Sequence, residues 1–204
     1  MKNKGAILII IVIASIFFSL IFDNILIKDI SYLRNAIFDD FFLGITFVSS
    51  EIMFSFILTS FFLWTEKKRK WIIPLWASLA VSVIVAFILK VTVQRPRPFQ
   101  LGIVPLIPIL QEASFSTWNF SFPSFQSMLA FCAVPILSKE FPRLKKFWII
   151  FAVLVAFSRV YFGVHFVSDV ISGGLIGYVI GLLVMNIEKE NRWGEKIYNK
   201  IFRK

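Results

Sequence analysis

Apolar residues in this chain come in long unbroken blocks, separated by short charged or proline-rich stretches, and nowhere alternate with the two-residue period of a half-buried strand. Six blocks stand out: Ala6 to Ile27, Phe41 to Trp64, Trp71 to Leu89, Pro123 to Leu137, Phe147 to Tyr161 and Phe166 to Ile187. A helix that crosses a bilayer needs about 20 mostly apolar residues. The fourth and fifth blocks fall short of that and are expected to extend a few residues into their flanks. The pattern predicts an all-α fold, a six-span transmembrane helical bundle. No internal repeat, linker or low-complexity tract divides it, so residues 1–204 form one domain. The first block follows Lys2 and Lys4, as a signal peptide would, but its apolar core is long and no small-residue cleavage site follows, so it is read as a retained span.

Composition sharpens this reading. Hydrophobic residues make up 58% of the chain and charged residues 17%, against roughly 25% charged in soluble domains. Disorder, collagen, coiled coil and a disulfide scaffold are excluded, the last because Cys132 is the sole cysteine. The net charge of +10 would point to nucleic acid were the cations on one soluble face. Sixteen of the 22 Lys and Arg instead fall in the N-terminus, the second-to-third loop, the fourth-to-fifth loop and the tail from about residue 188 to 204. By the positive-inside rule both termini are cytoplasmic. The segments Asp23 to Asp40 and 90–122 and the turn from Tyr161 to Phe166 then face outward. This implies a multi-pass protein of the cell membrane that meets membrane lipids and no nucleic acid. The outward segment 90–122, with four prolines, is longer than a simple tie requires.

Four cations contradict the charge trend. Lys90, Arg95 and Arg97 crowd the start of the long outward loop in KVTVQRPRP, and Arg159 is embedded in the fifth block. Ionisable groups at membrane depth are costly and mark functional sites by default, although Lys90 and Arg97 taken alone fit snorkelling to headgroups equally well. The stretch SRVYFGVHFVSD decides between these readings. It holds the chain's one histidine, His165, four residues before Asp169, a spacing that stacks the two on one helix face. Arg159 and His165 are six apart and converge only if the helix breaks between them, where Gly163 permits a tight turn. No Cys/His zinc pattern is present.

These segments resemble the type 2 phosphatidic acid phosphatase superfamily, whose members share their site with vanadium haloperoxidases and bacterial acid phosphatases. The first motif, Lys-x6-Arg-Pro, matches at Lys90, Arg97 and Pro98; the third, Ser-Arg-x5-His-x3-Asp, matches at Ser158, Arg159, His165 and Asp169. The second, Pro-Ser-Gly-His, falls on Pro123 and Ser124, but Phe125 replaces the glycine and Gln126 the histidine. The resemblance implies a lipid phosphate or pyrophosphate phosphatase with an extracytoplasmic site. In it His165 takes the phosphoryl group as nucleophile and Asp169 fixes its tautomer. Lys90, Arg97 and Arg159 hold the nonbridging oxygens, Ser124 adds a hydrogen bond, and no metal ion or other cofactor is required.

The altered second motif leaves three outcomes. In the family its histidine protonates the leaving oxygen, which the Gln126 amide cannot do. A working enzyme would then favour isoprenyl or other lipid pyrophosphates, whose leaving phosphate departs as an anion. Alternatively another group donates the proton, with Glu112, Tyr161 or water as candidates. The third outcome is a catalytically impaired relative that binds anionic lipid headgroups or assists lipid transport. Other features have structural explanations: Glu51 as a cation partner or a span-end residue, Trp118, Phe120 and Phe122 as an interfacial aromatic belt, and Gly173, Gly174, Gly177 and Gly181 as close-packing positions. Asn186 to Lys204 is expected to form an amphipathic helix on the inner surface.

Overall fold

The computed structural model describes residues 2–106 and 120–202, with side chains from residue 14 onward except Ile16. Glu112 and Trp118 lie outside the described residues. Eight α-helices follow in order: α1 (Lys2–Ser31), α2 (Ala36–Val48), α3 (Glu51–Leu63), α4 (Ile72–Val93), α5 (Phe125–Glu140), α6 (Lys145–Tyr161), α7 (Val167–Asn191) and α8 (Trp193–Phe202). A 3₁₀ segment, Glu66–Trp71, leads into α4. Among the described residues there are no strands, and every apolar block of the sequence is helical.

The second block departs from expectation. It is two helices, α2 and α3, bent by 66° at a break. Ser49 and Ser50 close the last turn of α2 through bonds to Ile45 and Phe47 carbonyls, and Ser50 then adopts the extended conformation of an N-cap, with Glu51 in the first turn of α3. Ser-Ser-Glu is a helix-restart signal that the surrounding hydrophobicity hides. Among the described residues two helical segments, 66–93 and 167–191, are long and apolar enough to cross a membrane, and the bent pair makes a third if counted as one span. Helices α5 and α6 have 16 and 17 residues, roughly 24 to 26 Å at about 1.5 Å per residue. The two adjoin the motif residues, α5 starting after Ser124 and α6 ending beyond Arg159.

The tightest packing joins α5 to α7. Gly173, Gly177 and Gly181 form a stripe, four residues apart, on the α7 face that meets Ser124, Met128 and Cys132 of α5 and its cap. A Cβ at Gly173 would stand 2.6 Å from the Ser124 carbonyl oxygen, and at Gly177 or Gly181 it would overlap the carbonyl of Met128 or Cys132. The two backbones therefore touch without intervening side chains, as small-residue stripes allow. Around this seam Phe54, Leu58, Phe62, Leu75, Leu79, Ile136 and Leu137 build the largest apolar core.

At the other end of α7 the chain turns at Arg192, which has a left-handed φ of 50°, into α8. The buried Glu188 carboxylate accepts the backbone N–H of Gly194 at 2.7 Å and of Glu195 at 3.1 Å, capping the new helix with an anion at its positive end. Helix α8 exposes Ile197, Ile201 and Phe202; the amphipathic segment expected from Asn186 begins only at Trp193, because residues 186–191 continue α7 up to the turn at Arg192.

Gly177→Ala should lower the thermal midpoint of the detergent-solubilised protein by several degrees, an overpacking cost of about 1 to 3 kcal/mol. Gly44→Ala, on α2 where a Cβ meets nothing within 4 Å, should raise stability by about 0.5 to 1 kcal/mol through helix propensity. Thermal unfolding of the two variants in one detergent checks the opposite signs.

Candidate functional site

The site is built on the turn between α6 and α7. The N–H of Phe162 bonds the Ser158 carbonyl and that of Gly163 the Val160 carbonyl, ending α6; those of Val164 and His165 both bond the Arg159 carbonyl, at 3.2 and 3.3 Å. Gly163 sits at φ +71°, a conformation glycine adopts at little cost. A Cβ there would also stand 2.6 Å from Val104 Cγ2 and 2.8 Å from Arg34 Nη2. The turn is clasped from outside by Arg34, whose Nε donates to the Tyr161 carbonyl at 2.9 Å and Nη1 to that of Pro105 at 2.7 Å. The break between Arg159 and His165 that Gly163 permits is present, and it brings the His165 N–H onto the Arg159 carbonyl.

His165 lies in this turn, ahead of α7, rather than on one helix with Asp169. Asp169 is instead in the first turn of α7, its Oδ2 accepting the Phe166 N–H at 2.8 Å. His165 Nδ1 is 3.7 Å from Asp169 Oδ2, beyond direct hydrogen-bond reach. On the other side of the ring, Nε2 is 3.4 Å from Arg97 Nη1, which donates to the Val164 carbonyl at 2.8 Å. Burial holds the imidazole pKa well below its ordinary value, and the positive charges of Arg97, Lys90 and Arg159 push the same way; a backbone hydrogen bond at Ser121 opposes them. The three motif cations thus act on one ring that is 3% exposed.

Each remaining motif residue has a defined place. Lys90 Nζ donates to the Phe120 carbonyl, which ties the end of α4 to the segment leading into α5. The Ser124 N–H bonds the Asp169 carbonyl at 3.1 Å, and its hydroxyl accepts from Ser127 at 3.0 Å. Gln126, in the first turn of α5, has a buried Oε1 with no hydrogen-bond partner among the described residues. Arg159 donates to Thr46 Oγ1 of α2 at 3.4 Å. Tyr161, one proton-donor candidate, gives its hydroxyl hydrogen to Asp39 at 2.6 Å. Glu51 is exposed at the start of α3.

Residues 71–193 match the PAP2 superfamily. The chain belongs to that family. It is 39% identical to phosphatidylglycerophosphatase B of Bacillus subtilis (strain 168) over 121 residues, 53% of this chain and 54% of that protein. It is 31% identical to the undecaprenyl-diphosphatase of Sulfolobus acidocaldarius over 134 residues, 64% of this chain and 62% of that one. The chain thus spans between half and two thirds of the length of these curated relatives. Among solved structures it is similar to the transmembrane PAP2-type phosphatidylglycerolphosphate phosphatase of Bacillus subtilis, with a TM-score of 0.68, 26% identity and coverage of 87% of this chain and 96% of that one. It is also similar to LpxE of Aquifex aeolicus, with a TM-score of 0.65, 29% identity and coverage of 79% and 93%.

Sequence reasoning singled out Arg95 as a cation against the charge trend but gave it no partner, and it missed Asp23 and Ser168. Arg95 Nη1 donates to Asp169 Oδ1 and to Ser168 Oγ, both at 2.7 Å, and Nη2 donates to Asp23 Oδ2 at 2.8 Å. Asp23, buried on α1, also accepts the Ser168 N–H at 3.0 Å and the Ser168 hydroxyl. The signal was available: Asp23 is the first acidic residue of the chain, at the end of an apolar block, and Arg95 is a cation on the wrong side of the charge trend.

Gly163→Ala should destabilise the protein more than Gly102→Ala. Both positions have positive φ, but a Cβ at Gly102 meets nothing within 4 Å, so the difference in thermal midpoint isolates the crowding by Val104 and Arg34.

Proposed function

We propose that the chain is a lipid phosphate or pyrophosphate phosphatase acting through a phosphohistidine, with a preference for lipid pyrophosphates. The observation that carries this reading is the gathering of Arg97, Lys90 and Arg159 around the single buried imidazole of His165, whose pKa is held low enough to leave it neutral and nucleophilic. His165 Nε2 attacks phosphorus, the bond to the leaving oxygen breaks, and a water then takes the phosphoryl group from the ring. The three cations bear the charge of the pentacoordinate phosphoryl group, and Ser124 supplies a further hydrogen bond. Asp169 supports the charge that the ring acquires. A buried cationic cradle of this kind needs no metal ion to neutralise phosphate.

The substrate preference follows from Gln126. An amide does not transfer a proton near neutral pH, and Tyr161 is held by Asp39. A leaving group that departs as a phosphate monoester, with a second pKa of about 6, needs no acid, whereas an alkoxide does. The relatives' names fit a lipid phosphate ester substrate, one of them a diphosphate. The topology proposed with this function is six spans, counting the bent α2 and α3 as one, with cytoplasmic termini and the His165 turn on the outer side. The basic residues of the 66–71 segment, the α5–α6 connection and α8 support that orientation.

Phosphate release by purified protein in detergent tests this reading, comparing an isoprenyl pyrophosphate with its monophosphate and with phosphatidic acid. Pyrophosphate turnover should vanish in His165→Ala, and Gln126→His should raise monophosphate turnover by about 10² or more. Lipid binding without release from any substrate would leave a headgroup-binding relative instead. The pH dependence has a definite sign. Because the neutral imidazole is the nucleophile and its pKa is depressed, the acid limb of kcat/KM should lie below the ordinary histidine range near 6.5, with activity retained at pH 6.

A further inference from the structure

Asp169 is held chiefly by Arg95. One guanidinium fork spans two buried carboxylates, Asp169 of α7 at 2.7 Å and Asp23 of α1 at 2.8 Å, and its Cζ lies 4.0 Å from the centre of the Phe166 ring. Asp23 in turn grips the first turn of α7 through the Ser168 N–H and hydroxyl, so α1 joins the site through this residue. A lysine could not replace Arg95 here, because a point charge cannot serve two carboxylates and stack on a ring at once.

The geometry points to Arg95 and Asp23 as positioning residues that set how strongly Asp169 supports charge on His165. The inference deepens the phosphohistidine reading and rests on it for its catalytic meaning. The reasoning is electrostatic. Arg95 carries one positive charge and shares it between two carboxylates. While Arg95 is shared with Asp23, Asp169 keeps part of its negative field for the ring 3.7 Å away. Remove the Asp23 charge and Arg95 is spent on Asp169 alone, so His165 loses support for its cation. Remove the Arg95 charge and two carboxylates face the ring uncompensated. The other charged groups acting on His165 are Lys90 from α4, Arg97 from the 94–106 segment and Arg159 from α6. Asp23 is not among the charges that shift Lys90, Arg97 or Arg159, so all three are constant across the comparison. The neutral Ser168 hydroxyl, which accepts from Arg95 and donates to Asp23, adds no charge to the comparison.

The chain's one histidine makes the test direct. In untagged protein labelled at histidine, the single imidazole signal is followed by NMR as pH is varied, for wild type, Arg95→Gln, Asp23→Asn and the double variant. Arg95→Gln should raise the imidazole midpoint by roughly half a unit or more, Asp23→Asn should lower it, and the double variant should return towards wild type. The acid limb of kcat/KM should move in the same directions. Two singles that weaken folding alike and leave the imidazole midpoint unmoved would overturn the inference and reduce the cluster to a tie between α1 and α7. The imidazole midpoint is read whether or not lipid is turned over. Shifts of opposite sign in a protein that releases no phosphate would uphold the charge relay while ending the enzyme reading.

Discussion

The contact on which this site depends is the meeting of two backbones, α5 and α7, along Gly173, Gly177 and Gly181. Because no side chain separates the helices there, the cap of α5 lies against the first turns of α7, and the Ser124 N–H reaches the Asp169 carbonyl. Segments nearly fifty residues apart in the chain are thereby fixed to within a hydrogen bond, and the second and third motifs become one surface. Such a seam is stiff as well as close. Van der Waals packing of small residues leaves no rotamer to adjust, so the register of α5 against α7 is set by shape.

On that frame the charges arrange themselves around a deficit of water. Burial alone would disfavour every ion at the site, and the structure answers by pairing and by backbone carbonyls. Arg97 has the Val164 carbonyl, Lys90 the Phe120 carbonyl, and Arg95 its two carboxylates. His165 is the group whose charged form burial and these cations disfavour. A site that binds a dianion gains from this arrangement, since the cations are already desolvated and oriented before the ligand arrives.

Much of this was legible in the sequence. Block length gave the helices, Gly163 gave the turn that joins Arg159 to His165, and the glycines of α7 gave its close packing. What escaped has particular causes. The break at Ser49 and Ser50 sits inside an apolar stretch whose hydropathy outweighs two capping serines. His165 and Asp169 have the spacing of a helix face, yet the helix begins between them, because Asp169 caps its own helix at the Phe166 N–H. Arg95 and Asp23 escaped because pairing between residues 72 positions apart leaves no periodic trace. An unusual charge in an apolar setting says that a partner exists without saying which.

The shortness of α5 and α6 bears on where such a chain can reside. A bilayer core of about 30 Å exceeds the length of both helices by several Å, and the His165 turn is the direct continuation of α6. In the proposed six-span topology, lipid around these helices must thin to meet their ends, which would bring headgroups towards the His165 turn. Hydrophobic mismatch of this kind favours membranes with a slimmer hydrocarbon layer and disfavours sterol-thickened ones. In that topology the shortfall of about one helical turn that sets the depth of the His165 turn also biases the company of lipids around it.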